Sequence, residues 1–367
     1  MSDPTQVQQQ RRETIIAVTA AALAGLLTAK VAEIQVDLLG RFAKLIARYG
    51  LGDLLLFSMR KASRAAADRL IRETQQLAVQ VVDRAVAEGA KAAGGSGGGP
   101  GGAVPPAFPG GDSWESHAQR SARAIREDLQ GKLNLLGYRI TRYADDVYGA
   151  VTADAARAQV LGLTPAQAQH EAYRKLVREG ITGYVDSKGR NWELSAYVEM
   201  ATRTAAERAF NVSHLDRMQS LGLDLFTVPD DGHPCPLCQP WQGKILSIAP
   251  DSRADATVAE ATAAGLFHPR CRHVLVGYVP GVTEIPPAPS PWSEEDHARY
   301  LESQTQRRLE REIRAAKREE AAAFTPEMRS QAQFAVRRAQ ARMRDFIEQT
   351  GRVRNRRREQ LDLGARA

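Results

Sequence analysis

A mainly α-helical chain with one small α+β, zinc-stabilised unit is the fold this sequence predicts. Three observations carry that expectation. Apolar residues recur at helical spacing over most of the length. Apolar residues reach 43% but aromatics only 6%, a balance suited to Ala- and Arg-rich helices rather than to a β-sandwich. All three cysteines and three of the seven histidines fall within residues 233–273, among short β-prone runs. The 367 residues suit two domains plus linkers. The expected layout is a helical N-terminal region (1–93), a Gly/Pro-rich linker (94–112), an α+β domain with the Cys/His site (113–290) and charged C-terminal helices (291–367).

Residues 14–29 are uncharged and mostly apolar, after Arg11, Arg12 and Glu13. As a helix this run is about 24 Å long, short of the ~20 residues that a bilayer span needs. Its pattern continues past Lys30 through Val31, Ile34, Leu38, Phe42 and Leu45, without the end that a signal peptide would show. It reads as a buried or partner-facing helix, with membrane contact the weaker alternative. Gly50 and Gly52 break this helix from a second. In the linker, GGSGGGPGGAVPPAFPGG over 94–111, Gly leaves the backbone unrestricted and Pro forbids regular pairing.

A helix follows over 113–161, with Gly162 as its stop. Thr164-Pro165 then pairs an N-cap with a first-turn proline and opens a helix to Arg178. Residues 181–194 hold two β-prone runs around Asp186-Ser187-Lys188-Gly189, a hairpin signal. Over 195–222 the helical period returns, with Tyr197, Met200, Ala201, Thr204, Ala205 and Ala209 on one face. Short strands are expected at 223–228, 244–248 and 274–279. Residues 250–265, rich in Ala, Asp and Thr, promise little burial. The end is helical and charged, with a start at Thr325-Pro326 and a stop at Gly351. Residues 293–367 carry 18 Lys+Arg against 13 Asp+Glu.

The chemistry-bearing motifs are His233-Pro-Cys235-Pro-Leu-Cys238 and His268-Pro-Arg-Cys271-Arg-His273. A Cys-x-x-Cys knuckle sets two thiolates on one side of a tight turn, about one edge of a zinc tetrahedron. Cys235, Cys238 and Cys271 would ligate one structural zinc per chain, with His268 and His273 competing for the fourth position. His233 is expected to be a loop residue. Redox chemistry needs a strand before the motif and a helix after it, and here a loop, Gln239-Pro-Trp-Gln-Gly, follows. A catalytic zinc needs a nearby carboxylate base. Asp230, Asp231 and Glu260 stand at no spacing that specifies one. A small unit with strands of a few residues has a limited core, so a metal cross-link would contribute stability that area burial cannot.

The order of Asp230-Asp231, Cys235-x-x-Cys238, Trp241-Gln242-Gly243-Lys244 and His268-Pro269-x-Cys271-Arg272-His273 resembles the minor capsid, or head-morphogenesis, proteins of tailed phages (the Mu F-like, phage minor capsid protein 2 group). GYVDSKGRNWELSAYVEMATRTA (183–205) and the charged helices after residue 303 are similar to that family as well. The likeness covers roughly 125–360, and His273 stands where Cys is commoner. It implies a structural virion protein without turnover chemistry, associated with the portal and acting in head morphogenesis and DNA packaging or delivery. The implied partners are the portal protein and the major capsid protein. The implied places are the capsid interior near the portal and, during assembly, the host cytoplasm. The alternatives are a zinc-ribbon nucleic-acid-binding protein and a zinc hydrolase or toxin-type effector.

A formal charge of +7 and a pI near 9.4 suit a polyanion or an acidic protein surface as partner. Arg352, Arg354, Arg356, Arg357 and Arg358 are dense enough to meet viral DNA phosphates or a partner's acidic patch. Asp145-Asp146 point about 100° apart on a helix and read as solvated. Arg203 could pair with Glu199 one turn back. Trp192 and Trp241 read as core anchors.

Overall fold

The computed structural model describes residues 4–49, 53–94, 111–160, 173–174, 177–178, 180–182, 184–185, 191–230, 235–269, 271, 273–283, 291–323 and 325–361. Outside them lie residues 95–110 of the linker, the hairpin turn 186–190, Asp231, His233 and most of the helix expected from Thr164-Pro165. Of that helix, residues 173–174 and 177–178 are described, and they are helical.

Helix accounts for 75% of the described residues. The described residues form α1 (Pro4–Tyr49), α2 (Asp53–Gly94), α3 (Gly111–Val160), α4 (Leu194–Ser220), α5 (Val258–Ala263), α6 (Glu294–Ala321) and α7 (Pro326–Thr350). The strands are β1 (Tyr184–Val185), β2 (Asn191–Trp192), β3 (Leu225–Thr227), β4 (Ile245–Ser247), β5 (Ala256–Thr257) and β6 (Val276–Gly277). β1 and β2 pair antiparallel as the predicted hairpin. The other four make a mixed sheet in the order β5-β4-β3-β6.

The stripe on α1 is core: Leu27, Val31, Ile34, Leu38 and Phe42 are all at most 1% exposed. Among the described residues, no helix is long and apolar enough to cross a membrane. α4 departs from the one-faced helix that its sequence suggests. Tyr197, Thr202, Thr204, Ala205, Ala206, Glu207 and Phe210 are all buried, although they point all round the axis. Small side chains explain this, because Ala and Thr let neighbours approach from several sides.

The chain divides into two compact units. One comprises Met1–Ala24, Ala78–Leu129 and Met200–Glu302. In it α2 crosses α4 closely: a Cβ added at Gly89 would lie 2.5 Å from the Phe210 carbonyl oxygen. His214, stacked on Phe210, sets its Nδ1 3.3 Å from the Gly89 oxygen and its Nε2 3.1 Å from the Leu275 oxygen. The small sheet's core holds Phe226, Val228, Leu246, Ala261, Leu266 and Leu275, continuous with Cys238 and Cys271.

Residues 250–265 therefore bury more than expected. β5 runs parallel to β4, and Thr257 and Glu260 close a capping box that starts α5. That box puts Ala261 at 0% exposure. A Thr-x-x-Glu box satisfies two orphan backbone donors and stabilises even a six-residue helix.

The second unit comprises Gly25–Leu77, Gln130–Glu199 and Ser303–Ala367. Its polar centre is Glu193, just before α4. This carboxylate accepts from Ser195 N (3.2 Å), Ala196 N (3.1 Å), Gln35 Nε2 (2.8 Å) and Arg318 Nη1 (3.4 Å). Arg318 also donates to the carbonyls of Val177 and Arg178 at 3.0 and 2.8 Å. Burial pushes the Glu193 carboxyl up, but Arg318 and these donors outweigh it and hold it below the usual value. α6 and α7 pack through Leu309, Ile313, Ala339 and Met343. Thr325 caps α7 by accepting from Met328 N, Pro326 follows it in the first turn, and Gly351 ends the helix in the left-handed region at φ 67°.

Candidate metal centre

Two tight turns build the site. In the first, Cys238 N and Gln239 N both donate to the Cys235 oxygen, at 3.2 and 3.0 Å. The chain then makes a single 3-10 turn, Gln239–Trp241, and Gly243 N donates to the Val228 oxygen (2.8 Å) beyond β3. In the second turn Cys271 N donates to the His268 oxygen at 2.8 Å. Phe267, immediately before it, has φ 58°. That conformation is costly for a bulky residue and persists only where surrounding packing enforces it; Phe267 packs against the small-sheet core.

The turns bring together five of the residues that the sequence singles out. Cys235, Cys238 and His268 form one group that could hold a metal ion, and Cys238, Cys271 and His273 form another; Cys238 belongs to both. Cys238 Sγ lies 3.7 Å from Cys271 Sγ. Cys235 Sγ is 3.2 Å from His268 Nε2, and Cys271 Sγ is 3.5 Å from His273 Nδ1. A tetrahedron with metal–sulfur bonds of ~2.3 Å has edges of ~3.8 Å between sulfurs, and ~3.5 Å between sulfur and imidazole nitrogen. Each group of three fits a zinc-like ion in chemistry and spacing. Cys238, Cys271 and His273 are buried, while Cys235 and His268 are half-buried.

Electrostatics prepares these groups for a cation. The single Cys238 S–H, shared between the two neighbouring sulfurs, holds the Cys235 and Cys271 thiols below their usual value and is itself raised in turn. The Cys235 sulfur pulls His268 up to about 9. Protons shared among thiols and imidazole here balance the charge that a metal would otherwise balance.

Sequence reasoning missed Glu207. It lies on α4 and accepts from Arg203 Nε at 2.9 Å. Burial pushes the Glu207 carboxyl up to about 7 against the pull of Arg203, and it also feels Cys271 and His268. An i,i+4 pair is readable in a sequence, but proximity to residues more than sixty positions away is not. Glu260 is committed to its helix cap, accepting from Thr257 N and Oγ1 at 2.8 Å each, and Asp230 is exposed.

The C-terminal arginines divide into two kinds. Arg352 donates to Gln306 Oε1 (2.8 Å), Arg354 grips Glu359 through two bonds (2.5 and 2.7 Å), and Arg358 donates to Glu310 Oε2 (2.8 Å). Arg356 and Arg357 are exposed on a 3-10 turn (Arg356–Glu359). Asp145 and Asp146 are half-exposed and ion-paired to Arg60 and Arg139. Trp192 meets Tyr197 edge-on, and Trp241 packs on the small-sheet core with Lys244 over its ring.

Fold and site together define a mainly helical protein whose small mixed sheet carries a Cys/His cluster able to bind a metal. The chain belongs to the phage minor capsid protein 2 family, which matches it over residues 100–348, most of its length. Its role is thereby a structural one in the phage capsid, and its place the virion; such a family points away from catalysis. No curated protein and no solved structure matches the chain.

Proposed function

We propose that this protein is a portal-associated minor capsid protein that acts in head morphogenesis and in DNA packaging or delivery, with one structural zinc per chain. Membership in the minor capsid family carries this reading. The metal's contribution is a cross-link between the two turns of a unit whose strands are only two or three residues long. Its ligands come from the Cys/His cluster. The partners are the portal protein and the major capsid protein, and viral DNA is a third candidate through the basic C-terminal segment.

Co-expression with the portal protein of the same phage tests the reading. The two should co-purify, and imaging of the complex should place this chain on the portal's capsid-facing side. A portal that purifies alone, from cells in which both proteins are soluble, would overturn the portal assignment. Metal analysis of protein never exposed to chelator should find about one zinc per chain, and none would remove the zinc.

A further inference from the structure

Five donors lie in two groups of three that share Cys238, where a tetrahedral ion takes four, and distance does not choose between the histidines, since each lies near the expected edge from one cysteine, at 3.2 and 3.5 Å. Hydrogen bonding does choose. We propose that Cys235, Cys238, His268 and Cys271 are the four ligands, and that His273 is a positioning residue that steadies the Cys271 thiolate, its own tautomer set by Gln242. The inference rests on the metal reading proposed above.

His268 Nδ1 lies 3.0 Å from the Pro269 carbonyl oxygen. A carbonyl only accepts, so Nδ1 carries a hydrogen, and Nε2, which faces the Cys235 sulfur, is the nitrogen that gives up its proton to take an ion. A ligating imidazole is held in this way, one nitrogen on a backbone oxygen and the other toward the ion. The backbone agrees. Cys235-x-x-Cys238 and His268-x-x-Cys271 are matching turns, each closed by an N–H of the last residue to the oxygen of the first, at 3.2 and 2.8 Å. Phe267's left-handed backbone fixes the entry to the second.

His273 is arranged the other way round. Its Nε2 sits 2.9 Å from the amide nitrogen of buried Gln242. An amide nitrogen only donates, so Nε2 accepts and Nδ1 carries the hydrogen, pointing at Cys271 Sγ. An N–H aimed at a thiolate stabilises its charge without occupying a coordination position.

Cobalt(II) reconstitution of the full chain, read by visible absorption and by X-ray absorption at the metal edge, tests the assignment. The wild type should bind one ion with three sulfurs and one nitrogen. His273→Ala should keep that first shell and lose only ~10–100-fold in affinity. His273→Asn, which retains an N–H donor, should recover part of the loss. His268→Ala should replace the nitrogen with a water oxygen and lose more than ~100-fold, beyond an outer-shell effect. Loss of the nitrogen in His273→Ala with its retention in His268→Ala would overturn the assignment while leaving the metal reading intact. So would two ions per chain bridged by Cys238. A wild type that binds no ion would remove both. Should His268→Ala not fold, His268→Cys serves in its place: four sulfurs and no nitrogen supports the assignment, and a surviving nitrogen overturns it.

Discussion

Glu193 shows what a single residue does that its neighbours in sequence do not announce. The motif around Trp192 is readable as a hairpin leading into a helix, but the partners that hold the carboxylate, Gln35 and Arg318, come from α1 and α6. A buried pair is weak evidence of net stability, yet removing one partner leaves an uncompensated charge and costs about 3–5 kcal/mol. Arg318→Met should lower unfolding free energy by roughly that amount, measured by urea denaturation at pH 7. The sign with pH follows from Glu193's lowered folded value. Its stabilisation is fully present above the unfolded carboxylate range, about pH 4.3, and is lost as pH falls through the folded value below it. Arg318→Met should therefore shed that part of the acid dependence, and an unchanged slope below pH 4 would count against the pairing. Residues that touch across such spans are the part of a fold that spacing cannot encode. The cysteines were readable because their chemistry is rare and their spacing short; Glu207 was not, because nothing local marks a carboxylate that faces them.

Elements were readable in proportion to their length and to the strength of their punctuation. Thr325-Pro326 and Gly351 bound α7 as the sequence indicates, because an N-cap hydroxyl, a first-turn proline and a left-handed glycine each have a local cause. β5 and α5 escaped notice, since a two-residue strand has no period and a six-residue helix barely one. Close approach between helices is likewise invisible in one helix alone. Gly89 is an unremarkable mid-helix glycine in sequence, whereas in the fold it lets α2 meet the Phe210 backbone. Gly89→Ala gains helix propensity of ~1 kcal/mol, but its Cβ would stand 2.5 Å from a carbonyl oxygen that cannot rotate away. Overpacking of this kind costs about 1–3 kcal/mol or more. The substitution should lower the melting temperature, whereas Gly131→Ala on α3, with nothing within 4 Å, should raise stability by ~0.5–1 kcal/mol. Thermal denaturation of the two variants side by side reads the difference, and equal shifts would mean that the two helices do not meet at this point.

On the scale of the whole molecule, a capsid protein with a net charge of +7 must reconcile its excess of cations with its own packing. Density alone suggests that five arginines within 352–358 repel one another unless an outside anion lies close. The structure changes that argument, because Arg354 and Arg358 already have Glu359 and Glu310, and Arg352 has Gln306. Glu359 is buried, so removing Arg354 would strand its charge and confuse a binding defect with a folding one. Arg356 and Arg357 are exposed and can be altered without that cost. If they meet DNA phosphates, binding should be independent of sequence and fall steeply with salt, at about 0.9 log units per neutralised phosphate. Changing Arg356 and Arg357 together to Gln should then flatten the slope by ~2, with the melting temperature unchanged. If they meet an acidic protein surface instead, the DNA slope should not move, and co-purification with the portal should weaken. Solvated surface charges worth little to either partner would leave both measurements where they were, and that outcome would remove the DNA and portal contacts from Arg356 and Arg357.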